Sequence, residues 1–441
     1  GIIRYTYDDA SNLKETVDAK GQHVVYTYDG ANRILAEDYL DDSSPEFSYH
    51  RFPDVAYFYD RAPGDVDNGD GTRSAPHNSR GTLVYVQDNS GEEYSSYDAR
   101  GRVEWTVKRI PDALVQDLTA PFGQLVSYRT EFHYDSLDRV TSMVYPDNDQ
   151  VSYEYNDRGL MARIIGGPSG SILTNLVYAP SAQQQQIEYG NGVRTTYGYD
   201  NRQRLNSLLT VSHPETLNQE LIHFSYTFDG VSNIKAIQDQ RDNSTVGATD
   251  RRRNSQAFAY DDLYRLIHVQ YNLPNPASSN GGEIDYRYDR IGNMLAQTSD
   301  ISQLEQGLPA ADLGAMSYGG ALGASGRSGR QPPDPAGPHA LSQIANSQSS
   351  VTNRVYGYDA NGNMTNIDGL RCTWDFKDRL VAVENDTMRA EYRYDYTDRR
   401  IIKKVFWKQG EPPPPQASAS ASVLSRVETS PAASPLRRAS R

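Results

Sequence analysis

The chain has 441 residues, of which 37% are hydrophobic, with a mean hydropathy of -0.71, a polar average that leaves room for several ordinary domains or one large repetitive one. A net charge of -13 and a pI near 5.1 argue against a nucleic-acid platform. The single cysteine, Cys372, excludes an internal disulfide or a cysteine-based zinc site, and no run approaches the ~20 apolar residues of a spanning helix.

The chain opens on Gly1 without a secretion signal, which reads as an internal or processed fragment. From there Tyr-x-Tyr-Asp recurs: Tyr5–Asp8, Tyr26-Thr27-Tyr28-Asp29, Tyr57–Asp60, Tyr197-Gly198-Tyr199-Asp200, Tyr286-Arg287-Tyr288-Asp289, Tyr356-Gly357-Tyr358-Asp359 and Tyr392–Asp395. Looser copies end at Asp98, Asp135, Asn156, Asp229, Asp261 and Asp375, and the shortest spacing is about 21 residues, Asp8 to Asp29. Four residues after the aspartate stands Asn or Arg, followed by an aliphatic residue or Met, as in Arg33-Ile34, Arg102-Val103, Arg204-Leu205, Asn293-Met294 and Arg379-Leu380.

Chemistry explains this grammar. Tyr-x-Tyr puts two rings on one face of a strand. The aspartate bonds to backbone groups ahead of it and starts a turn, with Gly or Asn supplying a positive φ. The aliphatic residue restarts alternation on the returning strand. Second turns such as "DAKGQ" at Asp18 and "DNSGE" at Asp88 close each unit before the next tyrosine pair. The 32 tyrosines also exclude disorder over the whole chain, and suit strands buried on one side and wet on the other. The predicted fold is all-β, a run of antiparallel hairpins.

Composition divides the chain into a repeat sheet over 1–299, a Gly/Ala/Ser/Pro-rich insertion over 300–350, further repeats over 351–408, and a Pro/Ser/Ala-rich tail of disorder composition over 409–441. The insertion reads as an excursion, with one short helical piece near Leu304. The run Arg251-Arg252-Arg253 beside Asp250 reads as a solvated loop rather than a phosphate site.

These segments resemble the YD repeats of the Rhs family, found also in B and C components of insecticidal Tc toxins and in teneurins. The likeness rests on "YTYDGANRI", "YDARGRV", "YDANGNM" and "CTWDFKDRLVAV" and runs to about residue 407. It implies a curved or spiralling sheet, a partial hollow shell with tyrosines packing between turns. In bacterial members the shell encloses a C-terminal toxin or cargo domain, and in teneurin-like members it is adhesive. It implies a secreted or cell-surface bacterial protein, with secretion-machinery proteins or cell-surface glycans as further partners. Asp334-Pro335-Ala336-Gly337 matches a self-cleavage motif of the family, but it lies inside the insertion with repeats after it.

No catalytic constellation emerges. A dozen equivalent aspartates are turn makers, whereas acid catalysis needs an unusual pair. The eight histidines show no zinc-protease spacing, and there is no Gly-x-Ser-x-Gly elbow. Around "GDVDNGDGT", Asp65, Asp67, Asn68 and Asp70 offer hard oxygens for weak calcium binding, although the spacing departs from an EF-hand and suits a surface hairpin with turn residues. No other cofactor is expected. The reading is a non-enzymatic shell segment, with a carbohydrate-binding or adhesion protein as the rival.

Overall fold

The computed structural model describes residues 2–40, 53–112, 125–167, 170–212, 219–244, 246–247, 253, 255–271, 282–301, 312–319, 337–345 and 354–408. Among them there are strands and turns and no helix. They fall into two compact units, the first drawn from Gly1–Pro146, Tyr288–Leu295 and Gly314–Pro412, the second from Asp147–Arg287 and Ala296–Leu313.

In the first unit, strands pair antiparallel with their neighbours in sequence from Arg4–Tyr7 to Val140–Val144. The small hairpin of Val66–Asp67 with Arg73–Ser74 stands outside this meander. A second run joins Gly314–Tyr318 through Arg400–Trp407 in the same manner. In the second unit the meander runs from Gln150–Tyr155 to Gly282–Tyr288.

Alternation drives burial. In the first unit Tyr85, Tyr94, Trp105, Val107 and Val66 form one cluster, and Val55, Tyr57 and Val86 another. The cores are thin and rich in tyrosine, as a sheet of polar average composition requires. In the second unit the buried apolar residues include Leu176 facing Ile187, Val269 facing Ile284, and Val211.

Two expectations change. Within 300–350, read as an excursion, Gly314–Tyr318 and Leu341–Ala345 are paired repeat strands; the aspartate of the signature is missing there, which hid the unit. Arg253, read as part of a solvated loop, is only 7% exposed. Its guanidinium donates to the carbonyls of Arg241 and Val246 and to Asn243 Oδ1, and faces Asp239 at 3.9 Å. It holds a loop closed from inside, because backbone carbonyls and a buried carboxylate offer it full compensation. Leu304, Asp334-Pro335 and the tail over 409–441 lie outside the described residues. Among the described residues no helix is long and apolar enough to cross a membrane.

Candidate functional site

The repeated turn is the feature with the most chemistry, and it has one geometry in most copies, Asp60 being an exception whose N–H donates to Thr82 O across an insertion. Asp29 N–H donates to Arg33 O at 2.9 Å and Asn32 N–H to Asp29 O at 3.0 Å, while Asn32 takes φ 59°. This is a three-residue hairpin loop, a turn closed by a left-handed residue and a bulge. The same slot is left-handed in Gly101, Asp138, Gly159, Gln203, Gly292, Gly362, Asp378 and even Tyr264, at φ 61°. Non-glycine residues are tolerated because the surrounding bonds over-determine the turn.

Those bonds come from the aspartate. Asp29 Oδ1 accepts from the N–H groups of Ala31 and Arg33 at 2.8 and 3.0 Å, and Oδ2 from Arg33 Nε at 2.7 Å. Asp200 repeats this with Arg202 and Arg204. Asp289 and Asp359 do so with asparagine as the side-chain donor, Asn293 and Asn363. The Arg33 N–H and guanidinium hold the Asp29 carboxyl below the usual range, as Arg204 does for Asp200. At Asp289 desolvation pushes upward, but the bonds from Asn293 prevail. At Asp29, Asp200 and Asp289 these bonds favour the charged, accepting carboxylate.

The tyrosines link one turn to the next. Across the hairpin Tyr28 faces Ile34, Tyr199 faces Leu205 and Tyr358 faces Met364, each beyond a bulge. The phenol of the second aromatic reaches back to the carbonyl of the aliphatic residue of an earlier hairpin. Tyr28 donates to Leu13 O at 2.9 Å, Tyr134 to Val103 O at 2.8 Å, Tyr358 to Leu341 O at 2.8 Å and Tyr394 to Leu380 O at 2.7 Å. Trp374 Nε1 does the same to Met364 O. The first tyrosines, Tyr26, Tyr197 and Tyr356, sit half-buried on the same strands, and Tyr286 and Tyr288 lie on Gly282–Tyr288.

Arginine completes the link in the forward direction. Arg33 stacks 4.5 Å over the Tyr59 ring and bonds Asp60 at 2.8 Å. Arg102 stacks over Tyr134 and reaches Asp135 O and Asp138. Arg204 does so with Phe228 and Ser232, and Arg379 with Tyr394 and Asp398. Thus Arg of one turn grips the ring of a later one, and at Tyr134 and Tyr394 the hydroxyl of the gripped ring returns to the residue after that Arg, Val103 and Leu380.

The first unit also holds a buried polar seam that the repeat pattern does not announce. Lys108 Nζ contacts Glu93 at 3.1 Å and Asp395 at 3.4 Å. Tyr396 N–H donates to Asp88 Oδ2 at 2.9 Å. Nearby, Lys377 pairs with Glu37 at 2.8 Å, Tyr57 donates to the other oxygen of Glu37, and Tyr39 stacks on Phe376. Burial, then Glu37, pushes the Tyr57 phenol well up; burial, then Glu93, does the same for Tyr396. The turns at Asp375 and Asp395 therefore dock on strands far earlier in the chain.

The hairpin over 64–72 is anchored rather than free. Val66 is 1% exposed within the Trp105 cluster. Asn68 Oδ1 accepts from Arg129 at 2.9 Å and its amide donates to Thr72 and Ser74. Asp67 Oδ1 accepts from Gly69 N–H, Asp70 Oδ1 from Thr72, and Asp65 uses its backbone carbonyl for Arg73.

A meander of Tyr-x-Tyr-Asp hairpins, several of them joined to another hairpin by Arg and Tyr, is similar to the YD-repeat architecture of the Rhs family, and the chain resembles YD-repeat proteins in this respect. No family model matches it. It is 26% identical over 270 residues to the toxin subunit YenC1 of Yersinia entomophaga, covering 55% of this chain and 25% of that protein. With the toxin subunit YenC2 of the same organism it shares 22% over 194 residues, covering 38% and 20%. The chain thus spans about a quarter of the length of these relatives. Among solved structures it matches a TcdB2-TccC3-TEV crystal structure with a TM-score of 0.65 at 19% identity, covering 91% of this chain and 19% of that one. A Photorhabdus luminescens Tc holotoxin pore matches with a TM-score of 0.53 at 15% identity, covering 93% and 22%. These structural likenesses establish the fold.

Proposed function

We propose that the chain is a wall segment of a Tc-type toxin shell, a non-enzymatic container for a C-terminal toxin or cargo domain of the longer protein, which would be secreted. The observation that carries this is the bracket itself. In the repeat the aspartate closes its own turn while the arginine and the second tyrosine reach another hairpin, which suits a wall. The sequence relatives named as toxin subunits support the toxin setting. The test is limited proteolysis of the protein expressed with the coding sequence that follows it. A downstream domain protected until the brackets are broken by Asp29→Ala and Asp200→Ala together supports containment. A downstream domain digested at the same rate in both forms removes it. Binding of the purified chain on a glycan array, without protected cargo, would replace it by the adhesive reading.

Calcium at the 64–72 hairpin is a separate proposal, in which the ion competes with Arg129 for Asn68. Calorimetric heat in the wild type, increased in Arg129→Ala and absent in Asp67→Ala, supports it. No heat in either of the first two removes it.

A further inference from the structure

The strands Leu266–Tyr271 and Gly282–Tyr288 form a ladder in which His268 faces Asp285, Val269 faces Ile284 and Gln270 faces Glu283. Alternation sends Val269 and Ile284 to one face, where they are buried at 4% and 7% exposure. His268, Gln270, Glu283 and Asp285 project from the other. The buried apolar pair pins the register, since a slip of one residue would expose it. Three potential ligands therefore have fixed backbone positions.

His268 Nδ1 lies 2.7 Å from Asp285 Oδ1. One donor atom from each of His268, Glu283 and Asp285 lies within 4.8 Å of the other two, and among the described residues no other group of three His, Cys, Asp or Glu does so. The charges are distinctive as well. His23 and His223 each pair with a single carboxylate, Glu15 and Glu220. Strand carboxylates such as Glu188 and Glu154 face an arginine, Arg194 and Arg163. Asp285 pairs with the His268 imidazole, and neither it nor Glu283 has a Lys or Arg partner among the described residues; the side chain of Glu283 receives only the Gln270 amide, at 3.4 Å.

We propose that His268, Glu283 and Asp285 form a surface site for a divalent transition-metal ion, with zinc as the best fit. One imidazole nitrogen and two carboxylates make a mixed donor set that selects zinc, nickel or copper over calcium or magnesium. Two carboxylates converge beside His268 with no Lys or Arg partner among the described residues, so a dication neutralises them. Bonds of about 2.0–2.2 Å need only small side-chain rotations from the present spacing, because the strand backbone already brings the donors together. Gln270 steadies Glu283 from outside, as second partners of metal ligands do. Solvent completes the coordination, since Glu283 and the ring edge face outward. Bound metal would clip the two strands across their polar face.

The test is zinc titration of the full chain by calorimetry, with cobalt substitution read by visible absorption. One zinc per chain is expected, lost in His268→Ala and in Asp285→Asn, and weakened about tenfold in Gln270→Ala. Glu15→Gln, which alters the single-carboxylate pair at His23, should leave the binding unchanged. Circular dichroism establishes that each variant folds. Absence of zinc heat in the wild type, or zinc heat unchanged in His268→Ala, would overturn the site and leave a plain His–Asp pair.

Discussion

Lys108 Nζ stands 3.4 Å from Oδ2 of Asp395, a carboxylate 287 residues further along the chain whose side chain is shut off from solvent. Glu93 and Asp88 share the same ammonium, and Arg399 reaches Asp395 at 3.0 Å. Removing one partner of a buried pair strands the other's charge, which typically costs about 3 kcal/mol or more. Lys108→Met is therefore expected to lower the stability of the first unit by about 3 kcal/mol, at the low end because Arg399 remains. Adding Asp395→Asn should recover part of that loss, so the double variant is less destabilised than the sum of the singles. Urea unfolding of the four proteins reads it. Additive losses would mean that the seam is not coupled.

The tyrosine link predicts a graded series. Tyr134→Phe keeps the ring beneath Arg102 but leaves Val103 O without its donor, for about 1 kcal/mol. Tyr128, 36% exposed on the same strand, donates to no such carbonyl among the described residues, so Tyr128→Phe should stay within about 0.5 kcal/mol of wild type. Arg102→Ala removes the stacking and the bonds to Asp135 O and Asp138 together, and should cost more than Tyr134→Phe. Equal effects of the two Phe variants would refute the link.

Stability should fall at both ends of the pH range, through different groups. The turn carboxyls of Asp8, Asp29, Asp98, Asp135, Asp200, Asp229, Asp261, Asp289 and Asp395 all lie below their ordinary value, chiefly through bonds from the residue four positions on, with Thr397 and Lys108 at Asp395. A depressed folded pKa gives stability that is present above the unfolded value of about 3.9 and lost as pH falls through the folded one. The linking tyrosines Tyr28, Tyr134, Tyr358 and Tyr394 are raised by desolvation, as are Tyr97, Tyr178, Tyr199, Tyr260 and Tyr318, whose hydroxyls donate in the same way to the carbonyls of Leu83, Met161, Gln184, Ile234 and Met294. Their contribution is present below about pH 10 and lost as pH rises through the folded values. Urea midpoints should be flat between about pH 5 and pH 9, then fall on the alkaline side together with tyrosinate absorbance. A midpoint that falls across the neutral range instead would point to other groups.

What could be read from residues alone follows their separation along the chain. The turn at Asp29 was legible because Asp, the left-handed Asn32 and Arg33 lie within five positions and bond one another. The forward grip of Arg33 on Tyr59 was not, since alternation says which face a ring takes but not which neighbour covers it. Tyr264 in the left-handed slot also defies composition; only the bond frame around Asp261 explains it. The seam at Lys108 was beyond reach, because nothing local marks a partner hundreds of residues away. His268 looked solitary for the same reason: its partners Glu283 and Asp285 arrive through strand register, not spacing.

The hairpin over 64–72 supplies the last test. Gly69 has φ +90°, and a Cβ there would meet the carbonyl oxygen of Ser127 at 2.5 Å. Gly69→Ala therefore pays twice, in a left-handed conformation that a side chain resists and in a collision with backbone that cannot rotate away. The hairpin should lift from the strand Leu125–Tyr134, breaking the Asn68–Arg129 bond and uncovering Val66. Exposing a buried valine alone costs about 1.5 kcal/mol or more, so the expected loss exceeds about 2 kcal/mol with the backbone term included. Gly71, also left-handed at φ +87° but with open space around it, separates the two causes: Gly71→Ala should cost only the conformational part, about 1 kcal/mol. Trp105 fluorescence reports the lifting, because Arg129 stacks 4.4 Å over its ring. A Gly69→Ala protein with unchanged Trp105 emission and the stability of Gly71→Ala would show that the hairpin is not docked.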